Sequence, residues 1–83
     1  MYYVYVMQSI TRKQFYIGVT SNLQARIKKH NAGSSNYTKP YRPWKLIYSE
    51  PFAAKREAYK QEYFLKHPDG FLEKKKIIAK YKF

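Results

Sequence analysis

Five side chains recur at spacings that would let one small fold gather them round an anionic group: Tyr5, Tyr16, Arg26, His30 and Glu62. Arg26 and His30 stand four residues apart. At about 100° per residue, with Leu23 as zero, Ile27 falls near about +40°, His30 near about −20° and Arg26 near about −60°. Lys28 and Lys29 fall on the far side. An arginine and a histidine on the apolar face of a helix are costly unless something anionic meets them. Glu62 poses the complementary problem. With Ala58 as zero, Ala54 lies near about −40°, Leu65 near about −20° and Glu62 near about +40°, so the carboxylate falls within a narrow apolar stripe, whereas Glu57 lies near about −100°. Such a carboxylate needs a cation, and both a structural pair with a side chain such as Arg26 and a bound metal ion would satisfy it.

Strands must carry the two tyrosines. Tyr2-Tyr3-Val4-Tyr5-Val6-Met7 is aromatic and β-branched, with Tyr3, Tyr5 and Met7 on one face and Tyr2, Val4 and Val6 on the other. Apolar on both faces, it reads as a central strand. The polar link Gln8 to Lys13 suits a hairpin with a loose turn, making Gln14 to Val19 the antiparallel partner and Tyr5 a neighbour of Tyr16. Gly18, two residues after Tyr16, would let a substrate backbone or a helix start approach the sheet closely.

Ser21-Asn22-Leu23-Gln24 has the form of a capping box and Gly33 that of a helix stop, which predicts a helix from about Asn22 to Ala32. From Gly33 to Pro43 the chain is rich in Gly, Ser, Asn, Thr, Lys and Pro, with Tyr37, Tyr41 and Arg42 interspersed. It is either a loop that touches phosphates and bases or an ordinary connection. Trp44 to Ser49 predicts a third strand, with Pro51 in the first turn of a helix reaching about Lys66. Pro68-Asp69-Gly70 breaks that helix. Phe71 to Lys82 predicts a last one, with Phe71, Leu72, Ile78 and Ala79 as its apolar stripe and Lys74 to Lys76 mostly outward.

Composition narrows the partner. The 83 residues hold 17 Lys and Arg against five Asp and Glu, a formal charge of +12. On so small a surface this favours a polyphosphate, nucleic acid first, over a merely solubilising or ribosome-associated surface. One domain over residues 1–83 is expected, with a small core in which ten tyrosines, five phenylalanines and one tryptophan supply the large buried areas. No cysteine is present, which excludes disulfides and thiolate metal sites, and two histidines are too few for a zinc site. No apolar run approaches the roughly 18 residues of a membrane span, and a signal-peptide pattern is lacking, so the expectation is a cytoplasmic protein without membrane contact.

The ordered set Tyr3-Val4-Tyr5, Tyr16-Ile17-Gly18, Arg26, His30 and Glu62 resembles the GIY-YIG nuclease superfamily, most of all its small stand-alone bacterial members. The resemblance implies an α+β fold, a three-stranded antiparallel sheet flanked by helices in the order β-β-α-β-α-α. It also implies metal-dependent cleavage of a DNA phosphodiester, in repair, recombination or processing of branched or nicked DNA. By position, Glu62 would bind one Mg²⁺ or Mn²⁺ ion, Arg26 would hold the scissile phosphate, and Tyr5, Tyr16 and His30 would lie around the attacking water. The residues themselves agree with a one-metal site, because they offer no closely spaced acidic pair. Tyr5 is the preferred base and Tyr16 the residue that positions the water. Three positions depart from the pattern: Tyr3 stands where the family name has Gly, Val19 where some members have lysine, and Asn22, Asn31 and Asn36 all precede Glu62, whereas members often carry an asparagine after it. A binding module with the nuclease fold and negligible turnover is the alternative, and a basic RNA-associated structural protein is a third. No separate targeting domain is recognisable, so little sequence specificity is expected unless a protein partner supplies it.

Overall fold

Alternation of side chains across one strand organises the molecule. In the computed structural model, which describes residues 1–83, β1 (Tyr2–Ser9) lies at the centre of an antiparallel sheet of order β2-β1-β3, with β2 spanning Phe15–Thr20 and β3 Trp44–Phe52. Val4 and Val6 point to one face. There they pack with Ile17, with Ala58 and Leu65 of α2 (Lys55–Lys66), and with Ile77 of α3 (Phe71–Tyr81). Tyr5 and Met7 point to the other, where they meet Trp44, Tyr16 and the inner side of α1 (Leu23–Ala32). The expected α+β architecture and the central position of the first strand are therefore observed, and β1 is buried from both sides as its two apolar faces require.

Local sequence explains the start and end of α1. Asn22, not Ser21, is the N-cap: its Oδ1 accepts from the Ala25 N–H at 3.1 Å. Gly33 ends the helix with φ +83°, where a side chain would be strained and would meet the Arg42 guanidinium. Asn31 then ties this helix to β3, accepting from the Trp44 N–H at 2.6 Å and donating to the Trp44 carbonyl at 3.1 Å.

The second half of the chain departs from expectation in two places. Pro51 is not in a helix. β3 continues through it to Phe52, opposite Tyr2, and α2 begins only at Lys55, with Ala54 extended and exposed rather than in the apolar stripe. A strand at the edge of a sheet tolerates a missing N–H, so proline does not end it. In α3 the inward side is Lys74, Ile77 and Ile78, while Phe71, Leu72 and Ala79 are exposed and Tyr81 is only partly covered, at 41% exposure. The helix turns this way because Tyr81 packs on Tyr48 of β3 (ring centroids 5.2 Å apart) and the aliphatic stem of Lys74 covers apolar surface. Between α2 and α3, Gly70 is buried where a Cβ would overlap the Phe64 carbonyl.

Candidate active site

Four of the five residues meet on the α1 side of the sheet. Tyr5 pairs with Gly18 across β1 and β2, and Tyr16, two residues before Gly18, projects to the same face. The Tyr5 and Tyr16 ring centroids are 6.2 Å apart, and Tyr16 lies 5.0 Å from the ring of His30. Gly18 leaves room for something other than substrate or a helix start. A Cβ there would stand 2.6 Å from Tyr5 Oη and 2.7 Å from its Cζ, so the glycine is the floor on which the Tyr5 phenol lies.

Tyr5 Oη is the centre of the hydrogen-bond network. Arg26 Nε donates to it at 3.4 Å, and it stands 3.0 Å from His30 Nε2. His30 Nδ1 is 2.9 Å from Oγ1 of Thr38, a fully buried residue whose carbonyl accepts from Trp44 Nε1 at 2.9 Å. With Arg26 donating to the phenol oxygen, the network closes when Tyr5 donates to Nε2 and Nδ1–H donates to Thr38. No anion is needed for His30. Burial and then the nearby Arg26 charge hold its pKa below the usual range, so it sits neutral and satisfied between two hydroxyls. Burial raises the Tyr5 pKa, against the lowering effect of the Arg26 hydrogen bond. The Arg26 pKa is raised, chiefly by that same bond.

Glu62 approaches from α2. Its partner is neither Arg26 nor a buried group but Lys66, whose Nζ donates to Oε2 at 3.3 Å and also lies 5.7 Å from the centroid of the Tyr16 ring. The glutamate side chain keeps 20% of its surface exposed, and its charge is near enough to Tyr5 to oppose ionisation of the phenol. No cluster of three acidic, histidine or cysteine side chains stands ready to cage an ion. One partly open carboxylate fits a hard divalent cation such as Mg²⁺ or Mn²⁺, which keeps most of its waters and takes remaining ligands from substrate phosphates. Glu57, on the first turn of α2, is exposed.

An open cleft of about 470 Å³ adjoins the cluster, lined by Phe15, Tyr16, Ile17, Tyr37, Lys66 and Lys74. Tyr37 is 69% exposed with its ring 6.1 Å from that of Tyr16, so the loop after α1 offers an aromatic surface beside two lysines. Sequence reasoning missed two members of the site. Thr38 was hidden in a polar loop whose composition gave no hint of burial. Lys66 was visible as the lysine four residues after Glu62, on the same helical face.

The family model of the GIY-YIG catalytic domain matches residues 1–76. The chain belongs to that family, a superfamily of DNA nucleases that generally use a divalent metal. It is similar to bacterial UPF0213 proteins. Identity is 44% over 66 residues with one from Staphylococcus haemolyticus, spanning 78% of this chain and 79% of the relative. With another from Lactiplantibacillus plantarum it is 45% over 81 residues, spanning 94% and 79%. The solution NMR structure of the UPF0213 protein BH0048 from Bacillus halodurans matches with a TM-score of 0.57 and 31% identity, over 99% of this chain and 88% of that one. No helix is long and apolar enough to cross a membrane.

Proposed function

We propose that this chain is a metal-dependent DNA endonuclease that hydrolyses a phosphodiester by attack of water, in repair, recombination or branched-DNA processing. The convergence of Arg26 Nε and His30 Nε2 on Tyr5 Oη, with the open Glu62 carboxylate at the rim, carries the reading. Tyr5 is fully buried as the protein stands, with Arg26 bonded to its oxygen. When a phosphate enters, the guanidinium turns to it with two N–H groups and uncovers the phenol. The water then gives its proton to Tyr5 Oη while the phenol passes its own to the neutral His30 Nε2, so no free phenolate forms and the raised Tyr5 pKa is no obstacle. The hydroxide oxygen bonds to phosphorus as the bond from phosphorus to the leaving oxygen breaks, the leaving oxygen takes a proton from solvent water, and His30 returns its proton to solvent. Tyr16, half-exposed beside His30, holds the water in line. Glu62 would hold a divalent ion, which when bound supplies charge stabilisation for the phosphate and the leaving oxygen.

The burial of the phenol and the Lys66 counter-ion already seated on Glu62 favour a second reading, a nucleic-acid-binding module without turnover. Cleavage of duplex, nicked and flap DNA by the wild type and by Glu62→Gln, each with EDTA, Mg²⁺ or Mn²⁺, separates the two. The endonuclease reading expects metal-dependent cutting by the wild type alone. It also expects a melting temperature in EDTA changed by less than the equivalent of about 1 kcal/mol, because the Glu62 to Lys66 pair is partly solvated. Equal cutting by both proteins would remove Glu62 from the metal site and make Glu57 the next carboxylate to test. No cutting by the wild type on any substrate with either metal would leave the binding module.

A further inference from the structure

Seventeen cationic and five acidic side chains form a single ion pair in this molecule, Lys66 with Glu62. An (i, i+4) Glu and Lys is an ordinary way to support a helix, but the position of this lysine is not ordinary. Its ammonium lies over the Tyr16 ring, and its side chain lines both the cleft beside Tyr16 and Tyr37 and the adjoining hollow formed with His67, Phe71 and Lys74. Arg26, by contrast, is engaged by a phenol and by no carboxylate.

We propose that Lys66 is a positioning residue that changes partners: it neutralises Glu62 while the metal is absent and moves to a phosphate of the bound DNA strand when a divalent ion takes the carboxylate. The inference rests on the reading of Glu62 given above. A dication bound to the same carboxylate repels an ammonium 3.3 Å from Oε2 and weakens its hold there. The flexible four-carbon stem, already about half exposed, can carry the ammonium into the cleft next to Tyr16 without moving α2. DNA that binds Lys66 therefore frees Glu62, and metal that binds Glu62 frees Lys66. Metal and DNA assist one another by the same factor, as linkage requires.

The test compares the wild type with Lys66→Met and Lys74→Met. The second variant loses the same charge from the same cleft without touching Glu62. Mn²⁺ affinity is measured by calorimetry on DNA-free protein, and cleavage at saturating Mn²⁺ is measured alongside. Lys66→Met should bind Mn²⁺ about two- to fivefold more tightly than wild type, the worth of a partly exposed pair. It should nevertheless cut about tenfold or more slowly, having lost a charge-assisted contact to phosphate. Lys74→Met should leave the Mn²⁺ affinity near that of wild type. Unchanged affinity in Lys66→Met, or the same gain in Lys74→Met, would overturn the proposal while the Glu62 reading stands on wild-type binding and cutting. Undiminished cleavage by Lys66→Met would overturn the transfer to phosphate. A wild type that takes up no Mn²⁺ and cuts no DNA in its presence would overturn both readings.

Discussion

Gly18→Ala adds one methyl group at the point where the sheet supports Tyr5. The new Cβ would stand 2.6 Å from Tyr5 Oη, while ordinary contact begins near 3.4 Å, so the phenol must shift by about 0.8 Å (3.4 − 2.6) or β2 must move away from β1. Neither is easy. The ring is fully buried, its oxygen is held 3.0 Å from His30 Nε2, and a second clash 3.0 Å from Tyr16 Cε1 blocks sideways relief. Overpacking of this kind costs about 1–3 kcal/mol, which in a chain of this size lowers the melting temperature by about 5–20 °C. Displacing a proton-transferring oxygen by nearly an ångström should lower turnover about 100-fold. DNA affinity, if dispersed cations supply it as the charge of +12 suggests, should change by less than about twofold. Thermal unfolding, single-turnover cleavage in Mn²⁺ and DNA binding in EDTA measure the three effects below the melting temperature of the variant. Wild-type turnover in a folded Gly18→Ala protein would show that the position of the Tyr5 oxygen does not matter to the reaction, and the proton route through Tyr5 would be wrong.

Three further outcomes are expected. Arg26→Lys keeps the charge but has no counterpart of the Nε–H that reaches Tyr5, so turnover should fall about tenfold or more while DNA affinity stays within about twofold; equal turnover would make Arg26 a surface cation. His30 has a folded pKa below the ordinary 6.5, so as pH falls below that value the unfolded chain takes up the proton first and stability drops towards the folded pKa. The melting temperature should therefore fall more steeply between about pH 7 and pH 5 in the wild type than in His30→Gln, and parallel curves would show that His30 does not report on this burial. Finally, if binding neutralises about five phosphates, log affinity for DNA should fall with log salt at a slope of about −4 to −5, and a slope near zero would remove the electrostatic basis for binding.

The parts of the fold readable in the sequence are those where one local rule acts alone. Two-sided alternation in Tyr2 to Met7 marks the central strand, and Gly33 marks the end of α1. Helical spacing correctly turned Arg26 and His30 towards the sheet, but spacing says nothing of partners 25 and 8 residues away in the chain. It therefore could not show that a phenol and a threonine, rather than an anion, satisfy the histidine. Pro51 and α3 were misread for a related reason. Each offered two locally acceptable arrangements, and tertiary contacts chose between them: the free edge of β3 for the proline, and Tyr48 against Tyr81 for the helix. Glu62 does face inward from α2 but less deeply than its place among Ala58 and Leu65 suggested: its side chain keeps 20% of its surface exposed and pairs with Lys66.

The two-sided burial of β1 also bears on how the molecule opens. The backbone from Val4 to Met7 is paired with a strand on each side and covered by helices on both faces, so its amides should exchange with solvent only when the whole fold comes apart. Tyr5 belongs to that most protected segment. Local fluctuations that fray α3 or the loop after α1 leave its backbone in place, and there is no subglobal opening in which the sheet persists while β1 is released. On heating, hydrogen exchange at Val4 to Met7, loss of near-ultraviolet circular dichroism and loss of the Tyr5 to His30 contact should therefore follow one transition.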